Sequence, residues 1–286
     1  MSEKIIFSSD STTDLGPELK ERYNIHILPL SVTLGDDMFK DGVDIDAEKI
    51  YDYHSKTGIL PKTSAVNVEE YLDYFKSIKE EGAAIIHFSL GSDLSSSCNN
   101  AFIAASEFED VYVVDTKNLS TGGGLMVLAA CDLAEQGLSA KEIAETVQNM
   151  WNRVDASFVI DSLEYLYKGG RCSALSVLGA NLLKLKPCIE VKNGKMGVGK
   201  KYRGKYAEVL KEYVKERLEN IEGIEKNRVF ITHAGCDEAI VKELVELVRG
   251  YNYFDEVFST RASCTISSHC GRNTLGILFI RKSPIS

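Results

Sequence analysis

No run of apolar residues in the chain approaches the roughly 18 that a membrane-crossing helix needs. The opening residues, Met1-Ser-Glu-Lys-Ile-Ile-Phe-Ser-Ser-Asp10, hold only three apolar side chains in a row, shorter than the apolar centre of a secretion signal. Positive charge is in deficit: 33 Lys and Arg against 42 Asp and Glu leave −9. That sign argues against non-specific binding to nucleic acid or to an anionic membrane, although a local basic patch is compatible with it. The seven cysteines form no C-x-x-C pair, and their number is odd. Reduced thiols in a cytoplasm are the expectation. Internal repeats and low-complexity segments are missing as well. What remains is ordinary for a globular protein: 286 residues, 44% hydrophobic and 26% charged, enough for about two domains.

Strand and helix signals alternate through the first half. Ile5–Phe7 is a short apolar run, and Pro17 suits the first turn of a helix reaching Arg22. Ile25 to Val32 predicts a second strand. Asn67 has the form of an N-cap before Val68, Tyr71, Leu72, Phe75 and Ile78 at helical spacing. Ala83–Leu90 predicts a buried strand followed by a helix through Phe108, and Val111–Asp115 a strand followed by a helix from Thr121. Ser139-Ala-Lys-Glu142 is a capping box for a helix whose face takes in Ile143, Val147, Met150 and Val154. This order predicts βαβ units and a mostly parallel sheet flanked by helices over residues 1–154.

Residues 155–286 read as an α+β domain, giving an α/β protein of two domains. Strand Phe158–Asp161 precedes helix Leu163–Lys168, which Gly169-Gly170 stops. Ala174–Leu183 is apolar on nearly all sides. Cys188–Val198 predicts a hairpin turning at Asn193-Gly194, with an amphipathic helix from Tyr206 after it. Strand Arg228–Thr232, helix Glu238–Arg249 and strands near Val257 and at Leu275–Ile280 complete the pattern.

Three familiar chemistries lack support. Gly194-Lys-Met-Gly-Val-Gly-Lys-Lys201 nearly fits a phosphate loop, but Lys201 stands where a hydroxyl would hold magnesium and no helix begins there. His233, Cys236, Cys264, His269 and Cys270 lack the repeated paired spacing of zinc ligands, so buried thiols and hydrogen-bonded histidines are the simpler account. No G-x-S-x-G elbow marks a serine nucleophile. Hydroxyls, in contrast, gather after predicted strands: Ser8 to Thr13, Thr63-Ser64, and Ser92 with Ser95-Ser-Ser97. Any one cluster is explained by capping alone. Three of them, beyond strand ends where helix N-termini offer free N–H groups, point to an anion site.

An ordered set of motifs resembles the DegV family of bacterial fatty-acid-binding proteins. It comprises Ser9-Asp-Ser-Thr-Thr-Asp-Leu15, Leu28-Pro-Leu-Ser-Val32, Thr63-Ser64, Leu94-Ser95 and Val113-Val-Asp-Thr116. It continues with Asp161-Ser-Leu-Glu-Tyr-Leu-Tyr-Lys-Gly-Gly-Arg171, Leu185-Lys-Pro187, Tyr202-Arg-Gly204, Ile231-Thr-His233 and Ser268-His-Cys-Gly271. The resemblance implies two α/β domains with an acyl chain between them. It implies a binding subunit of a fatty acid kinase, which offers the fatty acid carboxyl to a separate ATP-using partner that makes an acyl phosphate for phospholipid synthesis. Carried over by position, Thr63, Ser95 and His269 would bind the carboxylate, and Arg171 and Arg203 would support phosphoryl transfer. No cofactor, metal or nucleotide site of its own is implied, and no nucleic-acid partner. The chain departs from the family's pattern at Ala65-Val66, at Ser96, and at Cys270-Gly-Arg-Asn273, where Arg272 adds a charge. The apolar Ala174–Leu183 stretch serves equally as a tunnel wall or as plain core. Two rival readings are a hydrolase or acyltransferase using Ser95 and His269, and a lipid sensor with no kinase partner.

Overall fold

The computed structural model describes residues 3–172 and 185–285. The expected apolar helix Ala174–Leu183 lies outside the described residues. In the first half β1 (Lys4–Asp10), α1 (Pro17–Arg22), β2 (His26–Leu28), β3 (Ser31–Leu34), β4 (Asp37–Lys40), α2 (Ala47–Thr57) and β5 (Lys62–Ser64) follow in order. Next come α3 (Val68–Ile78), β6 (Ala83–Ser89), α4 (Ser97–Ala105), β7 (Val111–Asp115), α5 (Thr121–Glu135) and α6 (Ala140–Gln148). The second half holds β8 (Val154–Ile160), α7 (Glu164–Lys168), β9 (Lys186–Lys192), β10 (Lys195–Tyr202) and α8 (Tyr206–Arg217). It ends with β11 (Ile224–Ala234), α9 (Glu238–Arg249), β12 (Glu256–Arg261), α10 (Cys264–Cys270) and β13 (Thr274–Arg281).

Three sheets result. The first, β2-β1-β6-β7, is all parallel. The second, β10-β9-β8-β13-β11-β12, is antiparallel except for the β11–β12 pair. A small antiparallel sheet, β4-β3-β5, stands apart. The expected single strand Ile25–Val32 is in fact two, β2 in the parallel sheet and β3 in the small one. Pro29 lies between them and brings no N–H to either ladder. The helix opened by the Ser139 capping box ends at Gln148, so Val154 begins β8 rather than continuing a helical face. Asn67 caps α3 as expected. Asn193 and Gly194 both take positive φ in the hairpin turn, the conformation a type I′ turn requires.

The core is organised by α5. Leu125 to Leu128, Ala130 and Cys131 are all buried, because this helix packs on Ile86, Phe88 and Val114 of the parallel sheet and on Ala156, Phe158, Phe230 and Leu278 of the large sheet. A helix apolar on every side needs such an enclosure. Its glycine-rich start permits the approach: a Cβ on Gly122 would lie 2.3 Å from Asn118 Oδ1, and one on Gly124 2.8 Å from the Thr13 carbonyl. Helices α3 and α4 cover the outer face of the parallel sheet, and α8 and α9 that of the large sheet.

Asp10, at the carboxyl end of β1, is fully buried. Its carboxylate accepts from Tyr71 Oη (2.8 Å), Ser89 Oγ (2.9 Å) and the Leu90 N–H (2.8 Å). Burial opposes its ionisation, yet His87, the Leu90 N–H and the Tyr71 hydroxyl together hold its pKa below the ordinary value. Truncating it strands three buried donors, each worth about 1–3 kcal/mol when unsatisfied. Asp10→Ala is therefore expected to lower the unfolding free energy by about 3 kcal/mol or more, measured by urea titration. A loss under about 1 kcal/mol would show that water or a rearranged β6 end replaces the carboxylate.

Candidate functional site

Thr63 and His269 are separated by 206 positions and meet directly, Thr63 Oγ1 lying 2.8 Å from His269 Nε2. Thr63 comes from β5, where pairing with Val32 sets its register. His269 comes from the last turn of α10. The imidazole is largely buried, and among the described residues its Nδ1 has no hydrogen-bond partner. Burial first, and then the positive charge of Arg171, push its pKa down to about 4, so the ring is neutral at pH 7.

Ser95 stands in the loop between β6 and α4. Gly91 shapes that loop, since a Cβ there would lie 2.9 Å from the Asn118 nitrogen. Ser95 Oγ donates to Ser97 Oγ (3.0 Å) and accepts from the Ser97 N–H (3.1 Å). Ser97 Oγ in turn accepts from the Val66 N–H at 3.2 Å, three residues beyond Thr63. Ser95 is thus linked to the end of β5 through one neighbour, without bonding Thr63 or His269 among the described residues. Arg171 is exposed after α7, its Nη1 donating to the Gly169 carbonyl at 2.8 Å. Arg203 is exposed after β10, and among the described residues no hydrogen bond or ion pair engages it.

His269 forms part of the wall of a narrow apolar cavity against the inner face of the large sheet. Phe158, Leu166, Met196, Ile266 and Leu278 line it, with Leu119 and Ser120 contributed by the entry to α5. It holds about 500 Å³ of space including its open mouth. Thr232, also on the wall, bonds the hydroxyls of Thr121 (2.6 Å) and Thr260 (3.1 Å), so its polarity is largely satisfied within the protein. Phe158 and Leu278 of the lining carry no sequence signal of a site, because they read as core strand positions.

The family departures are accommodated locally. Arg272 is bonded to Glu48 and lies 5.0 Å over the Tyr51 ring. Val66 joins the loop of Ser95 through backbone bonds to Ser97 and Asn100, which its side chain does not determine. Ser96 is exposed at the N-cap of α4. Among the described residues no group of three metal-ligating side chains occurs, and Lys200 of the near phosphate loop lies within β10. A serine–histidine–aspartate chain does exist: Ser8 Oγ is 2.9 Å from His87 Nδ1, and His87 Nε2 is 3.3 Å from Asp10 Oδ1. All three residues are fully buried, which makes this chain part of the core.

Two sheets around one central helix, with an apolar cavity that has His269 in its wall, define the structural class. The chain belongs to the DegV family: the model for that family, described as uncharacterised proteins, matches residues 4–282. A DegV domain-containing protein of Clostridium acetobutylicum is 32% identical over 284 residues, 98% of this chain and 99% of that one. Among solved structures, the DegV family protein from Thermus thermophilus, described for fatty acid binding, superposes with a TM-score of 0.89. It is 28% identical and covers 97% of this chain and 99% of its own. DegV of Bacillus subtilis, described as a fatty acid binding protein, gives 0.85 at 27% identity over 98% and 100% of the two chains. No helix of the described residues is long and apolar enough to cross a membrane.

Asp14 lies behind Ser120 of the cavity wall. It is buried at positive φ (50°), accepts from the Ser263 N–H (2.8 Å) that precedes α10, and takes the hydroxyl proton of Ser120. Burial nonetheless pushes its carboxyl up to about 7, and Asp41 adds to the shift. Between the ordinary carboxyl value and 7 the folded chain keeps a proton that the unfolded chain has released, so stability falls as pH rises through that window. Asp14→Asn preserves the geometry and removes the effect. Relative to the parent, the variant should gain about 4 kcal/mol between pH 4 and pH 8, followed by urea unfolding. A difference that does not vary with pH would show that the carboxylate ionises normally.

Proposed function

We propose that this chain binds a long-chain fatty acid and presents its carboxyl group to a separate ATP-dependent kinase, which forms an acyl phosphate for phospholipid synthesis in the cytoplasm. The observation that carries the reading is the contact of Thr63 with His269, whose ring forms part of the wall of an apolar cavity. A fatty acid requires this combination. Burial of about 15 methylenes contributes roughly 12 kcal/mol gross at ~0.8 kcal/mol each, less several kcal/mol for association. The carboxylate costs several kcal/mol to desolvate unless donors meet it. The Thr63 and Ser95 hydroxyls, with His269, supply that compensation. The fatty-acid binding described for the Thermus and Bacillus relatives supports the same assignment.

In this reading the acyl chain runs between a domain of residues 1–154 and one of residues 155–286. The protein contributes recognition, with no nucleotide or metal site of its own. Arg171 and Arg203 face outward, where a phosphoryl group would arrive, and the planar donor fork of arginine suits it.

A solvent extract of the purified protein, run on a mass spectrometer, is expected to contain fatty acid in roughly stoichiometric amount. Protein that yields none and takes up none when it is added would refute the reading. Thr63→Val and Ser95→Ala should each weaken binding about tenfold to a hundredfold, as expected for a lost donor to a charged acceptor worth ~1.5–3 kcal/mol. Unchanged affinity in both, by calorimetry, would move the head group elsewhere.

The transfer role separates from binding in a second pair of variants. Arg171→Ala and Arg203→Ala should hold fatty acid affinity within about threefold, a change under ~0.7 kcal/mol. Acyl-phosphate formation with a cognate kinase and ATP should fall about tenfold or more, because a contact to transition-state charge is lost. Normal transfer by both variants would make these arginines structural and leave a lipid sensor as the better description.

A further inference from the structure

We propose that Gly169 is a positioning residue of the head-group clamp: its missing side chain lets the end of α7 lie against the His269 imidazole and so sets the direction of the Thr63 hydroxyl proton. The inference rests on the assignment of Thr63 and His269 to a fatty acid carboxylate.

Gly169 and Gly170 are adjacent, and they are glycine for different reasons. Gly170 has φ +70°, where an L side chain is strained, and a Cβ there would meet nothing within 4 Å. Gly169 has φ −69° and ψ −17°, which any residue adopts. A Cβ at Gly169, however, would lie 2.7 Å from His269 Nδ1, 2.8 Å from the Tyr165 carbonyl oxygen and 3.5 Å from His269 Cε1. Contact with the imidazole and the turn behind it, rather than backbone conformation, excludes a side chain. The packing is reciprocal: a Cβ on Gly271, just past α10, would lie 2.7 Å from the Tyr165 ring of α7.

This wedge decides where the ring carries its proton. His269 Nδ1 is buried and has no hydrogen-bond partner among the described residues. A buried N–H without an acceptor is costlier and rarer than an unused lone pair. The geometry therefore assigns the proton to Nε2, which donates to Thr63 Oγ1. The Thr63 O–H is then left to donate away from the ring. An ionised carboxylate only accepts, so this polarity presents it with a proton. The opposite tautomer would consume the threonine proton on the imidazole and turn lone pairs toward the anion. His269 thus acts on the head group through Thr63. The Gly169 carbonyl also accepts Arg171 Nη1 at 2.8 Å, so the same residue orients the arginine whose charge acts on His269.

The test compares Gly169→Ala, Gly170→Asn, Thr63→Val and the Gly169→Ala/Thr63→Val double variant by calorimetric titration with palmitate. Gly169→Ala should weaken binding about tenfold or more, as for a lost donor to a charged acceptor, and Gly170→Asn should stay within about threefold. Adding Thr63→Val to Gly169→Ala should cost less than a further threefold or so, because the hydroxyl is already misdirected. Full affinity in Gly169→Ala, or single effects that multiply in the double variant, would overturn the proposal. Nitrogen-15 NMR of the His269 ring in the unaltered protein provides an independent test should Gly169→Ala not fold. A protonated Nε2 beside a bare Nδ1 is required, and a protonated Nδ1 refutes the mechanism. A parent that binds no palmitate would refute the fatty-acid reading, while the ring spectrum still decides the tautomer.

Discussion

Everything at the site depends on how the second half of the chain is tied to the first at the start of α10. Asp41, buried beyond β4, accepts from the Cys264 N–H (2.8 Å) and the Thr265 N–H (3.0 Å). Asp14 accepts from the Ser263 N–H one residue earlier. Two carboxylates therefore satisfy backbone donors that a helix start leaves unpaired, and their charge opposes the positive end of the helix dipole. The arrangement is costly to ionise, as the raised pKa of Asp14 indicates. In return it fixes α10 against the small sheet, and His269 one and a half turns later is carried into register with Thr63 on β5.

The same economy explains where the cavity lies. Helix α5 fills the space between the two large sheets along most of its length, but its entry is made of Leu119 and Ser120, with Ser120 at positive φ (53°) and bonded to Asp14. The space is left open at this end, where the sheet contributes Gly276 rather than a larger side chain. A Cβ on Gly276 would lie 2.6 Å from the Ser157 carbonyl, so close pairing of β13 with β8 already requires glycine there. Strand pairing thus withholds a side chain from the cavity wall at that position.

Local chemistry was the legible part of this fold. The Asn67 cap, the Ser139 capping box, the Asn193-Gly194 turn and helix α9 each follow from a few adjacent residues, and the sequence alone locates them. The small sheet was not legible. Strand β5 is only three residues long, β4 is half exposed, and Pro29 divides what reads as one strand into two with different partners. Helix α10, seven residues rich in Ser, Thr and Cys, has little helical propensity and is held by tertiary bonds to Asp14 and Asp41. The contact between Thr63 and His269 spans those two illegible elements, which is why periodicity and spacing could nominate the hydroxyls but could not join them. The family resemblance supplied that link.

The hydroxyl clusters sort themselves by the partners that take their protons. Ser11 donates to Asp41 (2.9 Å), Ser89 to Asp10 (2.9 Å), Ser92 to Asp115 (2.6 Å), and Ser120 to Asp14. A charge-assisted bond is about twice as strong as a neutral one. An arriving carboxylate would gain little by competing with carboxylates already in place, so these hydroxyls hold the fold. Ser95 bonds another serine, and Thr63 a neutral imidazole. An anion outcompetes the neutral partner of the Ser95 proton after a hydroxyl rotation, and the Thr63 proton points away from the ring once His269 Nε2 donates to its oxygen. Among the described residues, Ser95 and Thr63 are thus two hydroxyls beyond the strand ends that an anion could recruit without unpicking the core.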